Sequence, residues 1–172
     1  MAHQNNVPAT ISELFIRIAL DRADLEAWAT TLSEAQLSAP GKDGWAIKDH
    51  YVHLAVWEQS TAALLRHEPR YAIIGVQPGD PIPNETELNA RIFAQSKDRS
   101  VDEALALFHS AHMELLNELA KLSDADLQKP FSHFAPGETS AYAQNPILEW
   151  LTGNTFEHYA EHIQWIGAMR NH

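Results

Sequence analysis

The sequence predicts an all-α protein built as a four-helix bundle. Apolar residues recur every three or four positions in four long segments, capping residues precede several of these segments, and no stretch alternates convincingly like a β-strand. The chain has 172 residues and no internal change in composition, which fits one domain. We therefore expect a single bundle domain over residues 10–172, preceded by a flexible N-terminus over residues 1–9.

The first two predicted helices follow from apolar periodicity. The first covers residues 11–32, and the stretch "TISE" at 10–13 predicts a capping box at its start. The loop "SAPGKDG" at 38–44 interrupts the pattern, which resumes from about residue 45 to 67. We expect the second long helix there.

A long loop and a short extra helix follow. The stretch "PRYAIIGVQPGDPIP" at 69–83 is too rich in proline and glycine for a helix, so we expect a structured surface loop able to cover a pocket. Asn84, with Glu87 three positions later, predicts the start of a short helix in "ETELNARIFAQSK" at 85–97.

The second half of the chain predicts two more long helices. The stretch "SVDE" at 100–103 is a capping box that opens the third long helix, which extends to about Leu122. An irregular segment over 130–145 comes next. Asn145 as a cap and Pro146 as the first helical residue then predict a fourth long helix that ends at about Arg170. The two long connections are expected to form the rim of a cleft.

Composition excludes several classes of function. The formal net charge is −11, from 23 acidic and 12 basic residues, and no basic stripe is present, so nucleic acid and anionic membranes are not expected partners. Cysteine is absent, which excludes disulfides, thiolate zinc sites and a cysteine nucleophile. No run of about 18 apolar residues occurs, and the first nine residues lack the pattern of a signal peptide. We expect a cytoplasmic protein.

Two histidines in the fourth helix are the main chemical signal. His158 and His162, in "TFEHYAEHIQWI" at 155–166, project from successive turns of one face, on a stripe predicted to point inward. Their nitrogens can converge on one ion, which needs a third ligand. Helix two offers His53, which we favour over His50 because His50 lies about 60° further round the helix. Three imidazoles would leave a coordination position open for substrate or water.

Other interpretations of these residues remain open. A histidine pair at this spacing is also common on helix surfaces and in cores, and His109 and His112 in helix three are reserve ligands. Glu157 and Glu161 suit a solvated helix flank, although either can orient an imidazole or act as a base. The sequence "HYAEH" lacks the glutamate of a zinc-protease HExxH motif, the Glu-x-x-His pairs of di-iron bundles are missing, and no glycine-rich phosphate loop occurs.

Three stretches resemble a known family. "GWAIKDHYVHLAVWE" at 44–58, "NETELNARIF" at 84–93 and the closing "FEHYAEHIQWI" are similar to segments of the DinB/YfiT-like superfamily, and more narrowly of its ClbS/DfsB branch. With the order of the helices, the resemblance covers nearly the whole domain.

The resemblance implies a metal-binding histidine triad in a cleft, which maps onto His53, His158 and His162. In relatives such a triad holds a divalent ion, often zinc or nickel, and some members are transferases that act with small thiols. The ClbS-type branch is instead associated with opening a cyclopropane in a genotoxin, where a metal is not clearly needed. Bundles of the family are frequently homodimers.

The combined expectation is a metal-dependent hydrolase or thiol transferase that acts on a small organic or xenobiotic molecule. Trp57 and Trp165 are expected to offer an apolar wall to this substrate, and Asn89 a polar contact in the pocket. The alternative is a metal-independent toxin-resistance or ligand-binding protein of the ClbS type. A dimeric scaffold whose histidines only pack is the third possibility.

Overall fold

The computed structural model describes residues 7–170, and within this range it contains helices and no strand. The predicted all-α fold is confirmed. Four long helices are α1 (Ile11–Thr31), α3 (Ile47–Leu65), α5 (Val101–Leu119) and α8 (Phe156–Arg170), and shorter helices are α2 (Glu34–Ser38), α4 (Glu85–Ser96), α6 (Phe131–Phe134) and α7 (Ile147–Gly153). Residues 1–6 of the predicted flexible N-terminus lie outside the described residues. No helix within the described range has the length and apolar character needed to cross a bilayer.

Helix α3 lies at the centre of the fold. It packs most extensively against α5 and also contacts α4 and α8, so nearly all of its residues are buried. A helix surrounded on several sides must bury its polar residues as well as its apolar ones, and each buried polar group then needs a partner. Histidines and a glutamate on α3 are buried for this reason.

The apolar core has two parts that meet at α3. The larger part joins α1, α3, α5, α7 and α8, and the smaller part lies between α3, α4 and the segment that follows α3. The buried members of the smaller part are Val52, Val56, Trp57, Ile74, Val76, Leu88, Ile92 and Ala104. Because α4 covers this second face, α3 has no long solvent-exposed side.

The predicted helix starts at Asn84 and Ser100 are confirmed. Asn84 accepts a hydrogen bond from the Glu87 backbone N–H at 3.0 Å. Ser100 and Glu103 form a complete capping box, with distances of 3.2 and 2.8 Å for its two hydrogen bonds. At the start of α1, Thr10 accepts from the Glu13 N–H as predicted, but the Glu13 carboxylate accepts from the N–H of Ala9, which leaves half of the predicted box.

The prediction of one continuous fourth helix is wrong. The chain leaves the helical path at Asn154, whose side chain donates to the Trp150 carbonyl at 3.0 Å, and the Thr155 hydroxyl donates to the Leu151 carbonyl at 2.6 Å. Side chains that bond to nearby carbonyls compete with helical hydrogen bonds, and the result here is two helices, α7 and α8. The helix also begins one residue later than predicted, because Pro146 is its N-cap.

A buried polar network joins the four long helices. Glu58 of α3 accepts hydrogen bonds on one oxygen from Arg22 Nη1 at 2.8 Å and from the hydroxyl of Tyr159, and His112 Nδ1 lies 3.1 Å from the same oxygen. Arg22 also donates to the Phe108 carbonyl at 2.9 Å. Because these residues belong to α1, α3, α5 and α8, the network fixes the rotation of each helix about its axis.

Candidate metal centre

Helices α3 and α8 bring the three predicted ligands together. His158 Nε2 lies 3.0 Å from His53 Nε2 and 3.2 Å from His162 Nε2, and the ligand atoms of all three lie within 4.8 Å of one another. His53 and His162 are buried, and His158 is partly exposed. Three imidazole nitrogens from two helices therefore face a common point at the edge of the core.

The donor set fits a divalent cation. In a tetrahedral zinc site with Zn–N distances of about 2.0–2.1 Å, ligand nitrogens lie about 3.3 Å apart, close to the two separations that His158 Nε2 makes with its neighbours. A ring nitrogen carries either a proton or a lone pair, so Nε2 of His158 cannot donate to both of its neighbours. A cation at the common point would accept the lone pairs of all three rings. The three histidines of this chain thus form a group that could hold a divalent metal ion.

Burial favours the neutral imidazoles that a metal requires. It lowers the pKa of His158 to about 4 and holds the pKa of His53 and His162 well below the usual value, with repulsion from neighbouring histidines adding to the effect. Neutral rings offer lone pairs at pH 7, so no ligand has to lose a proton before it binds an ion.

A fourth histidine, which the sequence argument set aside, also joins this cluster. His50 is buried, and its Nδ1 lies 3.0 Å from Nδ1 of His162, on the opposite side of that ring from Nε2. The angular offset between His50 and His53 on α3 places His53 toward His158 and His50 toward His162. The sequence did contain one indication that His50 belongs to the cluster. His50 and His53 are three residues apart, and residues at this spacing lie on the same side of a helix.

Two of the three triad residues, His53 and His158, line a cleft of about 520 Å³. Residues from both long connections, including Tyr71 and Tyr142, form part of its wall, as expected for rim segments. Its aromatic lining consists of Trp57, Tyr71, Tyr142 and Trp150, and its acidic lining consists of Glu85, Glu149, Glu157 and Glu161.

The three predicted pocket residues occupy different places. Trp57 lines the cleft, and its indole N–H donates to the Asn89 side-chain oxygen at 3.3 Å. Asn89 itself is not among the residues that line this cleft, so it is connected to the cleft only through Trp57. Trp165 lies on another side of the cluster, where it is 52% exposed and its ring contacts that of His162 edge-to-face at a centroid distance of 4.8 Å.

The remaining candidates lie away from the nitrogen cluster. His112 contacts Glu58, and His109 is exposed with its Nδ1 3.3 Å from the carboxylate of Glu26. The Glu157 and Glu161 carboxylates are exposed on the cleft side of α8, and neither forms a hydrogen bond or an ion pair with another described residue. They orient no ligand imidazole in this structure.

Comparison with known proteins gives a family consistent with this geometry. The family model of the DinB superfamily matches residues 17–166. The chain belongs to the DinB superfamily. The match includes all of α3 and the part of α8 up to Ile166, and therefore all four histidines of the cluster. The narrower ClbS/DfsB assignment is not shown by this match.

A solved structure has the same fold as this DinB superfamily member. The crystal structure of an uncharacterised protein from Escherichia coli UTI89 aligns with a TM-score of 0.68 and 17% sequence identity, over 96% of this chain and 93% of that one. At this identity the likeness concerns the fold alone. No curated protein matches the sequence.

Proposed function

We propose that this DinB superfamily protein is a divalent-metal-dependent enzyme, either a hydrolase or a thiol transferase, that acts on a small organic molecule. The observation that carries the proposal is the convergence of three Nε2 atoms, from His53, His158 and His162, at the edge of an open cleft. Structural zinc sites are closed by four protein ligands, whereas catalytic sites keep a position for water or substrate.

The residues have distinct roles in this proposal. His53, His158 and His162 would hold the ion, and the partly exposed edge at His158 gives access from the cleft. A bound divalent ion supplies Lewis acidity and lowers the pKa of a bound water, which provides a nucleophile without a cysteine or serine. Glu157, next to His158 in sequence and unpaired among the described residues, is available in the cleft as a proton acceptor.

The size and lining of the cleft suit a small substrate that is neutral or positively charged. Its volume of about 520 Å³ lies within the range of small-molecule sites, and its aromatic walls suit a partly apolar ligand. Four carboxylates line it, whereas the guanidinium of Arg70 is paired with Glu138. This charge distribution favours neutral or cationic molecules over anionic ones.

Metal analysis tests the first step. Protein purified without chelator is expected to contain close to one zinc or nickel ion per chain, and the His158→Ala, His162→Ala double variant is expected to lose it. A double variant of two exposed histidines, His109→Ala and His133→Ala, keeps the same number of histidines as the test variant and should retain the ion. Wild-type protein that folds but binds no divalent ion, even after incubation with excess zinc or nickel, would refute the proposal.

Activity assays then separate the two reaction classes. The metal-loaded protein is tested with neutral model esters and, separately, with a model electrophile plus a small thiol. Turnover that disappears on chelation and returns with metal identifies the class. Turnover that survives complete metal removal would contradict metal dependence.

A second candidate is a metal-independent resistance or ligand-binding protein, which the aromatic lining of the cleft favours. The rings of Trp57 and Trp150 offer flat apolar surface to a reactive small molecule. The measurement is the integrity of host DNA in cells exposed to a genotoxin, with wild type or the His158→Ala, His162→Ala variant expressed. Equal protection by both proteins supports this candidate, whereas protection by the wild type alone favours the metal-dependent enzyme.

A further inference from the structure

We infer that His50 is a positioning residue of the metal centre: its Nδ1 accepts a hydrogen bond from the Nδ1–H of His162 and thereby directs the Nε2 lone pair of His162 toward the ion. The inference rests on the metal-binding function proposed above. It adds a fourth histidine with a defined role to the three proposed ligands.

Metal binding through Nε2 of His162 would fix the direction of this hydrogen bond. His162 presents Nε2 to the cluster, 3.2 Å from His158 Nε2, and Nδ1 to His50 at 3.0 Å. A neutral imidazole carries one proton, so a ring that binds a metal through Nε2 holds its proton on Nδ1. His162 must then donate and His50 must accept, with the proton of His50 on its own Nε2.

His50 is held in place to accept this bond. It is buried, and its ring contacts those of Trp45 and Trp165 at centroid distances of 5.3 and 6.1 Å. These packed rings leave the His50 imidazole little rotational freedom.

The hydrogen bond between His50 and His162 has the same chemical role as the acceptor that usually accompanies a metal-bound histidine. Metal-bound histidines usually donate their second N–H to an acceptor that fixes the tautomer and raises the basicity of the ligand nitrogen, and loss of that acceptor typically weakens metal binding by about 10–100-fold. The usual acceptors are a carboxylate, a backbone carbonyl or a water. Here an imidazole three residues before the ligand His53 takes that place, so α3 supplies both a ligand and the acceptor for another ligand.

Two isosteric substitutions isolate the acceptor. In His50→Asn, the side-chain oxygen can occupy the position of Nδ1, whereas His50→Leu has nearly the same shape and no acceptor. We expect His50→Leu to bind zinc about 10–100-fold more weakly than wild type in competition with a chromogenic chelator, and His50→Asn to stay within about threefold of wild type. His109→Leu, which removes an exposed histidine, should match wild type. If the Leu and Asn variants bind zinc equally well, the inference is overturned.

A spectroscopic measurement observes the proton on His162 directly. In zinc-loaded wild type, NMR of the labelled histidine rings should show a proton on Nδ1 of His162 that exchanges slowly with water. The same proton should exchange rapidly in His50→Leu and slowly in His50→Asn. A His162 ring without a proton on Nδ1 overturns the role of His50 and leaves the metal proposal intact, whereas failure of the wild type to bind zinc removes both.

Discussion

The buried pair of Arg22 and Glu58 gives the sharpest test of the packing. The two side chains are 2% and 1% exposed, and Arg22 Nη1 lies 2.8 Å from the Glu58 carboxylate. The substitution Arg22→Met keeps a long apolar side chain and removes the charge. It leaves Glu58 with hydrogen bonds from Tyr159 and His112 but without its cation.

The expected loss of stability is large. Removing one partner of a buried ion pair typically costs about 3–5 kcal/mol, because the remaining charge stays buried and uncompensated. The Phe108 carbonyl also loses its bond from Arg22, and the guanidinium no longer lies over the Phe108 ring, 3.5 Å from its centroid. With a urea m-value of about 2 kcal/mol/M, the unfolding midpoint should fall by roughly 1.5–2.5 M.

The assay is urea unfolding of metal-free protein followed by circular dichroism. Arg91→Met, which removes an exposed ion pair with Glu87, is the matched control and should change stability by less than about 1 kcal/mol. Adding Glu58→Gln to Arg22→Met should recover part of the loss, because no buried charge then remains. An Arg22→Met protein within about 1 kcal/mol of wild type, or a double variant no more stable than Arg22→Met, would refute the reasoning.

Two further predictions concern the site and its wall. Burial lowers the pKa of His158 from 6.5 to about 4, so between these values the unfolded chain binds a proton that the folded metal-free protein does not. The contribution of this group to the free energy of unfolding should therefore be complete above pH 6.5 and fall by up to about 3 kcal/mol toward pH 4, and the total fall should be smaller in His158→Leu. Urea titrations in the presence of chelator at several pH values measure this fall. Equal pH dependence of stability in the two proteins would contradict the prediction. Asn89→Leu removes the acceptor of the Trp57 indole N–H and should lower the free energy of unfolding in urea by about 1 kcal/mol. The same substitution should have no such cost in a protein that already carries Trp57→Phe. An equal cost in both proteins would exclude this hydrogen bond as the cause.

The sequence and the structure agree best where the determinants are local. The start of α5 at Ser100 follows from a capping box that spans four residues, and the common face of His158 and His162 follows from helical spacing. The break before α8 could not be predicted in this way. The side chains of Asn154 and Thr155 bond to backbone carbonyls of α7, but an asparagine and a threonine are also common within continuous helices, so the sequence pattern does not indicate the break. Trp165, expected to form an apolar wall for the substrate, is half exposed because the buried stripe of α8 runs through Tyr159, His162 and Ile166.

The sequence by itself determined which segments become helices and which of their faces carry imidazoles, because periodicity and capping act within a few residues. Only the tertiary structure decided that His50 joins the cluster and that Glu58 is surrounded by donors from three other helices. Those contacts join residues 36 to 112 positions apart. They depend on how far each helix is rotated about its axis when the core packs, and no local pattern specifies that rotation.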